Sequence, residues 1–569
     1  MAAMAARNGG GSLRQLSGLG ILHTHGSIFP NFNYEHVARN QMQHANTNAN
    51  TESSQSSAWC GVYLPLEIQL MILDHLIRIS QTRLKQTLAP YAAVCRAWQR
   101  HIEPVTFSRL ILSRFKLAQF DAITKHRQGL VRYVYLSIRL EPTFDDAQNY
   151  QLIRGYITAL FRVLALWEPT KAGLTLDLSI ACIGDTALHS RYFSDVLLYG
   201  PERYPAYVYD PFTPENSLNP GFSDDPHQHH LLSFALFLAK DSAYWLGPAI
   251  PKAPAVTRLL LRRQTRCHSA NVVWDALLDT EKLPGLKELY YEQWRVITLL
   301  PRHLKGLDRV NFFRDDIHDY NYASRVDHTT RQLNNVHFLP MDPVRMIAEV
   351  SLHAQHVSGH WGMGALDFFA GVATEPSWVW DRLVTLALVF DQLNVWLQSP
   401  EALERITSVL ASAAQAAQRM PQLETMLLWH SSHSHLELGD RPGFAGFFRY
   451  RAPPKSRSSS GRATVTLAAT ETWPSLPESV TDAWSTVAAA QRRRNADSLG
   501  YLAVEQQQPD LVVERLHLPS KLPDGTDVKY AADGIWLVQC FNQGTGIELV
   551  RPMSLLQMRR EARFTPIIY

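Results

Sequence analysis

Residues 401–430 read EALERITSVLASAAQAAQRMPQLETMLLWH and contain one complete unit of the fold. Apolar residues in the first twenty positions recur at steps of three and four, which places them on one helix face. They are Leu403, Ile406, Leu410, Ala413, Ala417 and Met420. Pro421 ends this helix because it cannot continue the hydrogen-bond ladder, and an apolar strand opens at Leu423. The stretch therefore predicts an amphipathic helix followed by a buried strand.

The same order of a helical stretch and a short strand-like run recurs along the chain. The runs alternate apolar and polar residues or are rich in Val, Leu, Thr and Tyr, as strands are. They are 130–140, 174–180, 256–263, 286–294, 307–315, 383–390, 423–430 and 512–519. Their spacing varies from about 20 to about 75 residues and lacks the fixed period of a regular solenoid. Two α/β (α+β) interpretations stay open: an irregular leucine-rich-repeat-like body of strands and helices, which we favour, and an ordinary α/β domain.

Composition excludes several classes of protein. The 569 residues are 46% hydrophobic and 19% charged, which is too apolar for a disordered chain and too weakly charged for a coiled-coil rod. The net charge of +3 does not favour nucleic acid or a membrane surface as the partner. The 5 cysteines form no C-x-x-C pair, which indicates a reduced intracellular compartment, either cytoplasm or nucleus. No apolar run approaches the roughly 20 residues that a membrane span needs.

Polar stretches divide the chain into segments. A stretch rich in Gly, Ser, Asn and Gln cannot bury enough apolar surface to order itself. The predicted order is a disordered tail at 1–58, a small helical module at 59–112, the α/β body at 113–452 with a long loop at 201–230, an exposed loop at 453–462 and the C-terminal part of the body at 463–569.

The segment 59–112 reads WCGVYLPLEIQLMILDHLIRISQTRLKQTLAPYAAVCRAWQRHIEPVTFSRLIL. Pro65 suits the first turn of a helix, and nine of the fourteen residues from Leu66 to Ile79 are apolar. A helix that is apolar on most sides must be covered on more than one side. The short helix that follows, at 91–102, is too small to cover it alone. The segment predicts an apolar partner, which is either another protein or the rest of the chain.

Three blocks of this segment resemble the F-box signature L-P-x-E-I-x-x-x-I-L-x-x-L followed by V-C-R-x-W. They are Leu64-Pro65-Leu66-Glu67-Ile68, Ile72-Leu73-Asp74-His75-Leu76 and Val94-Cys95-Arg96-Ala97-Trp98. The stretches LVRYVYLSIRL, RMPQLETMLLWH and RLHLP…RPMSLLQMRREARF are similar to fungal-type F-box proteins whose C-terminal domain has no assigned function. An F-box is a small module of three helices that binds the Skp adaptor subunit of cullin-type ubiquitin ligases.

The resemblance implies a function and a set of contact residues. It implies a substrate-recognition subunit that binds the Skp adaptor, and through it a cullin, and recruits an unknown protein target without a catalytic site, cofactor or metal of its own. The implied adaptor-binding residues are Leu64, Pro65, Leu66, Ile68, Ile72, Leu73, Leu76, Val94, Cys95 and Trp98. Within this set, the second block of Val94, Cys95 and Trp98 would also lock the module together. A scaffold outside any ligase, with this helix packed on its own chain, and an enzyme are the alternatives.

Other residue clusters carry weaker signals. The histidines at 353, 356 and 360, and those at 430, 433 and 435, lack the glutamate of H-E-x-x-H and are interpreted as surface or loop residues. The arginines at 258, 262, 263 and 266 and those at 492–494 are interpreted as charges at strand rims or helix ends. The acidic groups at 315, 316, 319 and 367 are interpreted as solvated.

Overall fold

The computed structural model describes a little more than half of the chain. The described residues are 65–82, 88–140, 146–182, 250–262, 277–278, 281–294, 306–315, 343–360, 364–390, 393, 400–431, 444–454, 462–471, 473, 475–498, 511–523, 528, 531–552, 554–555 and 558–559. The predicted tail at 1–58, the residue Leu64, the loop at 201–230 and most of the loop at 453–462 lie outside them. The chain divides into two compact units, one ending at Gln69 and one beginning at Leu70.

One sheet organises the second unit. Its twelve strands lie side by side in the order in which they occur along the chain. They are β1 (Arg109–Leu112), β2 (Tyr133–Leu140), β3 (Leu174–Cys182), β4 (Val256–Leu261), β5 (Glu288–Trp294), β6 (Arg309–Asp315), β7 (His356–His360), β8 (Thr385–Val389), β9 (Thr425–Ser431), β10 (Ala445–Arg451), β11 (Ala463–Ala469) and β12 (Leu511–His517). Neighbours are parallel except at β10, which is antiparallel to both β9 and β11.

Ten described α-helices accompany the sheet. They are α1 (Leu66–Thr82), α2 (Ala89–Ala92), α3 (Arg96–Thr106), α4 (Arg114–Thr124), α5 (Asp146–Leu164), α6 (Pro343–Ser351), α7 (Ala365–Ala373), α8 (Pro400–Gln418), α9 (Glu478–Ser498) and α10 (Ala531–Phe541). Among the described helices, none is both long and apolar enough to cross a membrane.

The main core lies between one face of the sheet and helices α4 to α9. Alternate strand residues such as Leu176, Leu259 and Leu428 point to this face, since successive side chains of a strand face opposite sides. In α8 the predicted face is buried from Ile406 to Ala417. Each helix covers the strands beside it, so the core is continuous along the sheet.

The opposite face is covered by the C-terminal part of the same chain. Helix α10 packs on the apolar end of this face, against residues that include Trp429 and Phe447. Gly546, Glu548, Arg551 and Ser554 then contact the more polar side chains of β5 and β6 and of Arg262, which directly follows β4. We call this side of the sheet the tail face; its side chains include Asp177, Arg262, Glu292, Asn311, Phe313, Val389, Trp429 and Phe447.

The strand order decides between the two predicted architectures. All eight predicted runs are strands, at 133–140, 174–182, 256–261, 288–294, 309–315, 385–389, 425–431 and 511–517. A doubly wound α/β domain reverses its strand order within the sheet. Here the order never reverses, and the body is a leucine-rich-repeat-like alternation of strands and helices. Strands β1, β7, β10 and β11 were not predicted. Because β1 pairs with β2, the sheet begins at Arg109, inside the range predicted for the helical module.

Candidate functional site

Helices α1, α2 and α3 form a small apolar cluster of their own. From Leu70 onward, α1 contributes Leu73 and Ile77, which are buried against Leu88 and Ile102. Trp98 lies partly buried against the same cluster. A hydrogen bond of 2.8 Å between Asp74 Oδ1 and His101 Nε2 also joins α1 to α3. The cluster therefore uses only one side of the apolar helix α1.

The other side of α1 is exposed. Met71 is 65% exposed and Ile72 is 40% exposed, although both lie in a helix that buries Leu73 to 1%. Ile68, in the short first unit, is itself exposed. At the turn before α3, Val94 is 61% exposed. Exposed aliphatic side chains that adjoin each other, as Met71 and Ile72 do, mark a candidate surface for a partner, whereas single ones do not.

The residues that the sequence assigned to adaptor binding have different surroundings. Pro65 is exposed, and only the helical backbone of Leu66 is described. Leu73 lies inside the three-helix cluster, where it cannot touch a partner, and Leu76 is partly buried against that cluster.

The second block of the motif corrects one expectation. Trp98 packs on the cluster as expected, but Val94 and Cys95 are exposed. These two side chains therefore do not pack into the three-helix cluster as expected. Met71, which the motif leaves unspecified, is the most exposed large apolar residue among the described side chains of α1. Its place in the unbroken apolar run 70–73 is the signal that could have identified it.

The three helices are attached closely to the body. Only two residues separate the end of α3 from β1. Arg127, beyond α4, donates from Nε and Nη2 to Glu103 Oε1 at 2.9 and 2.7 Å, and its guanidinium carbon lies 5.0 Å from the centre of the Phe107 ring. These hydrogen bonds hold the pKa of the Glu103 carboxyl below its ordinary value. α3 is thereby fixed in orientation to the start of the sheet.

A second candidate site is a group of buried charges on the tail face. Arg262, only 2% exposed, donates from Nη2 to Asp177 Oδ2 at 2.6 Å and from Nε to Oδ1 at 3.0 Å. The Tyr133 hydroxyl donates to the same carboxylate. Burial, together with the negative charge of Asp177, raises the pKa of Tyr133, which keeps the phenol a proton donor.

The C-terminal part of the chain joins this group through Ser554. Its hydroxyl accepts from Arg262 Nη1 at 3.1 Å and donates to Glu292 Oε2. Burial raises the pKa of Glu292, an effect that the positive charge of Arg262 and the Ser554 hydrogen bond oppose. The group is thus a buried polar network that holds two segments of chain together.

The structure corrects the interpretation of the basic run at 258–266. Arg262 is not a rim charge, since it is enclosed between Asp177 on β3 and Ser554 in the C-terminal part of the chain. Arg258 is half-exposed and pairs with Glu288 at 2.7 Å. Arg263 and Arg266 lie outside the described residues. The alternation of LTLDLSI placed Asp177 on a polar strand face, but nothing local indicates that a segment almost 300 residues away from Arg262 covers this face.

The histidine clusters do not converge on a metal site in the described part of the chain. His356 lies in β7, where its Nδ1 is 3.0 Å from Thr385 Oγ1 on the next strand. Burial lowers the pKa of His356. Within the described residues, no group of three His, Cys, Asp or Glu side chains could hold a metal ion.

Comparison with known proteins gives one match. A family model described as a family of unknown function, DUF6546, matches residues 299–521. The matched range contains strands β6 to β12 and helices α6 to α9, and does not include the helical segment 59–112. No curated protein matches the chain. No solved structure matches it. The C-terminal half of the body is therefore similar to a family of unknown function.

Proposed function

We propose that this chain is the substrate-recognition subunit of a cullin-type ubiquitin ligase. In this proposal helices α1 to α3 form an F-box that binds the Skp adaptor, and the sheet body recruits a protein target. The observation that carries the proposal is the exposure of Met71 and Ile72 on a helix whose opposite side packs Leu73 and Ile77. An internal core helix would have both sides covered by its own chain.

The exposed side chains supply enough apolar surface for specific binding. Burying one large aliphatic side chain contributes on the order of 1.5–3 kcal/mol. A few such anchors dominate the affinity of an interface. Within the described part of α1 to α3 that belongs to the second unit, the exposed large apolar residues are Met71, Ile72 and, at the turn before α3, Val94.

The proposed role requires no chemistry from the chain itself. A ligase receptor brings a bound target close to the conjugating enzyme, so its contribution is effective concentration and orientation. The bond between Glu103 and Arg127 serves orientation, because it fixes α3 to the body that would hold the target. The proposal places the protein in the cytoplasm or the nucleus.

The test is binding of the full chain to a purified Skp adaptor. We expect Met71→Asp and Ile72→Asp each to weaken binding about tenfold or more. Each variant loses one apolar side chain from the interface and places a carboxylate there instead. Matched controls are Leu166→Asp and Ile123→Asp, since these residues are 68% and 43% exposed but lie outside the three helices. The controls should bind like the wild type.

Two outcomes would contradict the proposal. If all four variants bind the adaptor equally well, the exposed side of α1 is not the docking surface. If the wild-type chain does not bind the adaptor at all, the assignment to a ubiquitin ligase is wrong.

A further inference from the structure

Side chains of the sheet hold the backbone of residues 546–555, which we call the tail segment. Asn311 Nδ2 donates to the carbonyl oxygens of Glu548 and Leu549, at 2.5 and 3.2 Å. Arg309 Nη1 donates to the carbonyl of Gly546 at 2.8 Å, and Glu292 Oε1 accepts from the amide of Arg551 at 3.2 Å. These four bonds engage main-chain atoms, and a peptide with the same backbone conformation offers the same atoms.

Side-chain contacts of the tail segment add selectivity to this backbone binding. Leu549, Val550 and Leu555 are buried in the apolar cluster of the tail face. The guanidinium carbon of Arg551 lies 4.7 Å from the centre of the Tyr290 ring, in cation–π geometry. Ser554 lies between Arg262 and Glu292 and satisfies both. The surface therefore selects two aliphatic residues, an arginine and a hydroxyl residue three positions later.

The tail segment is connected differently from the strands it crosses. It follows a turn in which Gly544 and Gly546 have φ values of 80° and 74°, a conformation that favours glycine. Helix α10, before this turn, is anchored separately in the apolar cluster by residues such as Ile535 and Val538. The described residues of the tail segment are not themselves a strand of the sheet. It can therefore leave the sheet without breaking a strand pairing.

We infer that the tail face over β4 to β6 is a peptide-binding surface that the tail segment occupies in cis. Its ligand in trans is a protein segment of the same chemistry, aliphatic-aliphatic-Arg-x-x-Ser/Thr-aliphatic, which binds by displacing the tail segment. Such a ligand must form the helical turn that the tail segment forms, where the amide of Leu555 donates to the carbonyl of Arg551 at 3.0 Å. That this ligand belongs to a ligase target rests on the proposed function, whereas the peptide-binding surface does not. The tail segment then keeps the surface closed until a competing segment arrives.

The test uses the full chain and a labelled synthetic peptide of residues 544–559. The double variant Val550→Asp, Leu555→Asp weakens docking of the tail segment and leaves the sheet side of the surface unchanged. We expect this variant to bind the wild-type peptide about tenfold or more tightly than the wild-type chain does, because a surface occupied in cis is available in only a fraction of molecules. Fluorescence anisotropy measures both dissociation constants.

Two further peptides test the selectivity. A peptide that carries the same two aspartates should not bind, and a peptide with Ser554→Val should bind about tenfold more weakly than the wild-type peptide, since it leaves Arg262 and Glu292 without their hydroxyl partner. A folded double variant that does not bind the wild-type peptide overturns the inference. Equal binding of all three peptides overturns it as well.

A measurement on the wild-type chain decides the matter if the double variant does not fold. Displacement requires the tail segment to open more often than the strands beneath it, so its amides should exchange with deuterium before those of β4 to β6. If both exchange together at the slowest rate, the tail segment is a fixed part of the fold and the inference is wrong. Adaptor binding enters none of these measurements, so this inference and the proposed function fail independently.

Discussion

The two candidate surfaces of this chain differ in what covers them. The three helices at the start of the second unit leave large aliphatic side chains in water, whereas the tail face buries arginine and carboxylate groups under the chain's own C-terminal part. Apolar surface in contact with water is unfavourable, and a partner that covers it lowers the free energy of the complex. Buried charge is stable only while each partner stays in place. The surface on α1 to α3 is therefore open to a partner protein, whereas the tail face is covered by the C-terminal part of the same chain.

The largest expected effect comes from breaking the closed surface at Arg262. Arg262→Met leaves the buried Asp177 carboxylate without its cation, which we expect to cost about 3–5 kcal/mol of unfolding free energy. Urea unfolding followed by circular dichroism measures the loss. The control is Arg258→Met, four residues earlier and on β4, whose ion pair with Glu288 is partly solvated. It should cost no more than about 1 kcal/mol. Similar losses for both variants would mean that burial does not distinguish the two ion pairs.

The second prediction separates the two sides of α1. Leu73→Ala removes a buried side chain from the three-helix cluster and should cost about 2–5 kcal/mol. Met71→Ala, two residues earlier on the exposed side, should stay within about 0.5 kcal/mol. Thermal unfolding of the two variants, followed by the fluorescence of Trp98 or of the whole chain, tests the difference. A stability loss on Met71→Ala as large as that of Leu73→Ala would show that this side is covered by the chain itself.

Sequence patterns predicted the strands well because their signal is local. The eight predicted strands are rich in large apolar residues at alternate positions, and this pattern alone requires burial on the helix face. Strand β7 reads HVSGH and offers one large apolar residue, Val357, so its pairing with β6 and β8 comes from its neighbours. Strand β11, ATVTLAA, does alternate with period two, and this signal was available in the sequence.

The two candidate sites differ in the same way. The apolar excess of α1 is visible in fourteen consecutive residues, so a docking surface there could be predicted. Which of its residues point outward could not, because this depends on how α2 and α3 pack. The network on the tail face joins residues as far apart as Arg262 and Ser554. No periodicity connects two positions separated by so much chain, and Arg262 therefore looked like a rim charge.

The third prediction concerns the fit of α10 on the tail face. A Cβ atom at Gly534 would lie 2.1 Å from Ser431 Oγ and 3.0 Å from the Cβ of Ala445. Ser431 cannot turn away freely, because its hydroxyl donates to the carbonyl of Ala531 at 2.7 Å. We expect Gly534→Ala to cost about 1–3 kcal/mol through overpacking. The matched control is Gly155→Ala in α5, where no atom lies within 4 Å.

The control variant, Gly155→Ala, should be more stable than the wild type. Replacing glycine by alanine inside a helix with free space stabilises it by about 0.5–1 kcal/mol. Urea midpoints of the two variants, measured beside the wild type, give both signs in one experiment. A stabilised Gly534→Ala variant would show that α10 does not lie closely against β9 and β10.

The smallest expected effect is a pH dependence of the closed surface. Burial raises the pKa of Glu292, so the folded chain takes up this proton at a higher pH than the unfolded chain does. The stability that this proton contributes is complete below the ordinary glutamate pKa and is lost as the pH rises through the pKa of the folded state. Relative to Glu292→Gln, which does not titrate, the wild type should therefore gain stability as the pH falls from neutral to about 5. Urea unfolding of both proteins across this range isolates the contribution of Glu292, since all other titrating groups are shared. A difference that stays constant, or that favours the wild type more at neutral pH, would mean that Arg262 and Ser554 together outweigh the cost of burying the carboxylate, and the tail face would then hold its charges without strain.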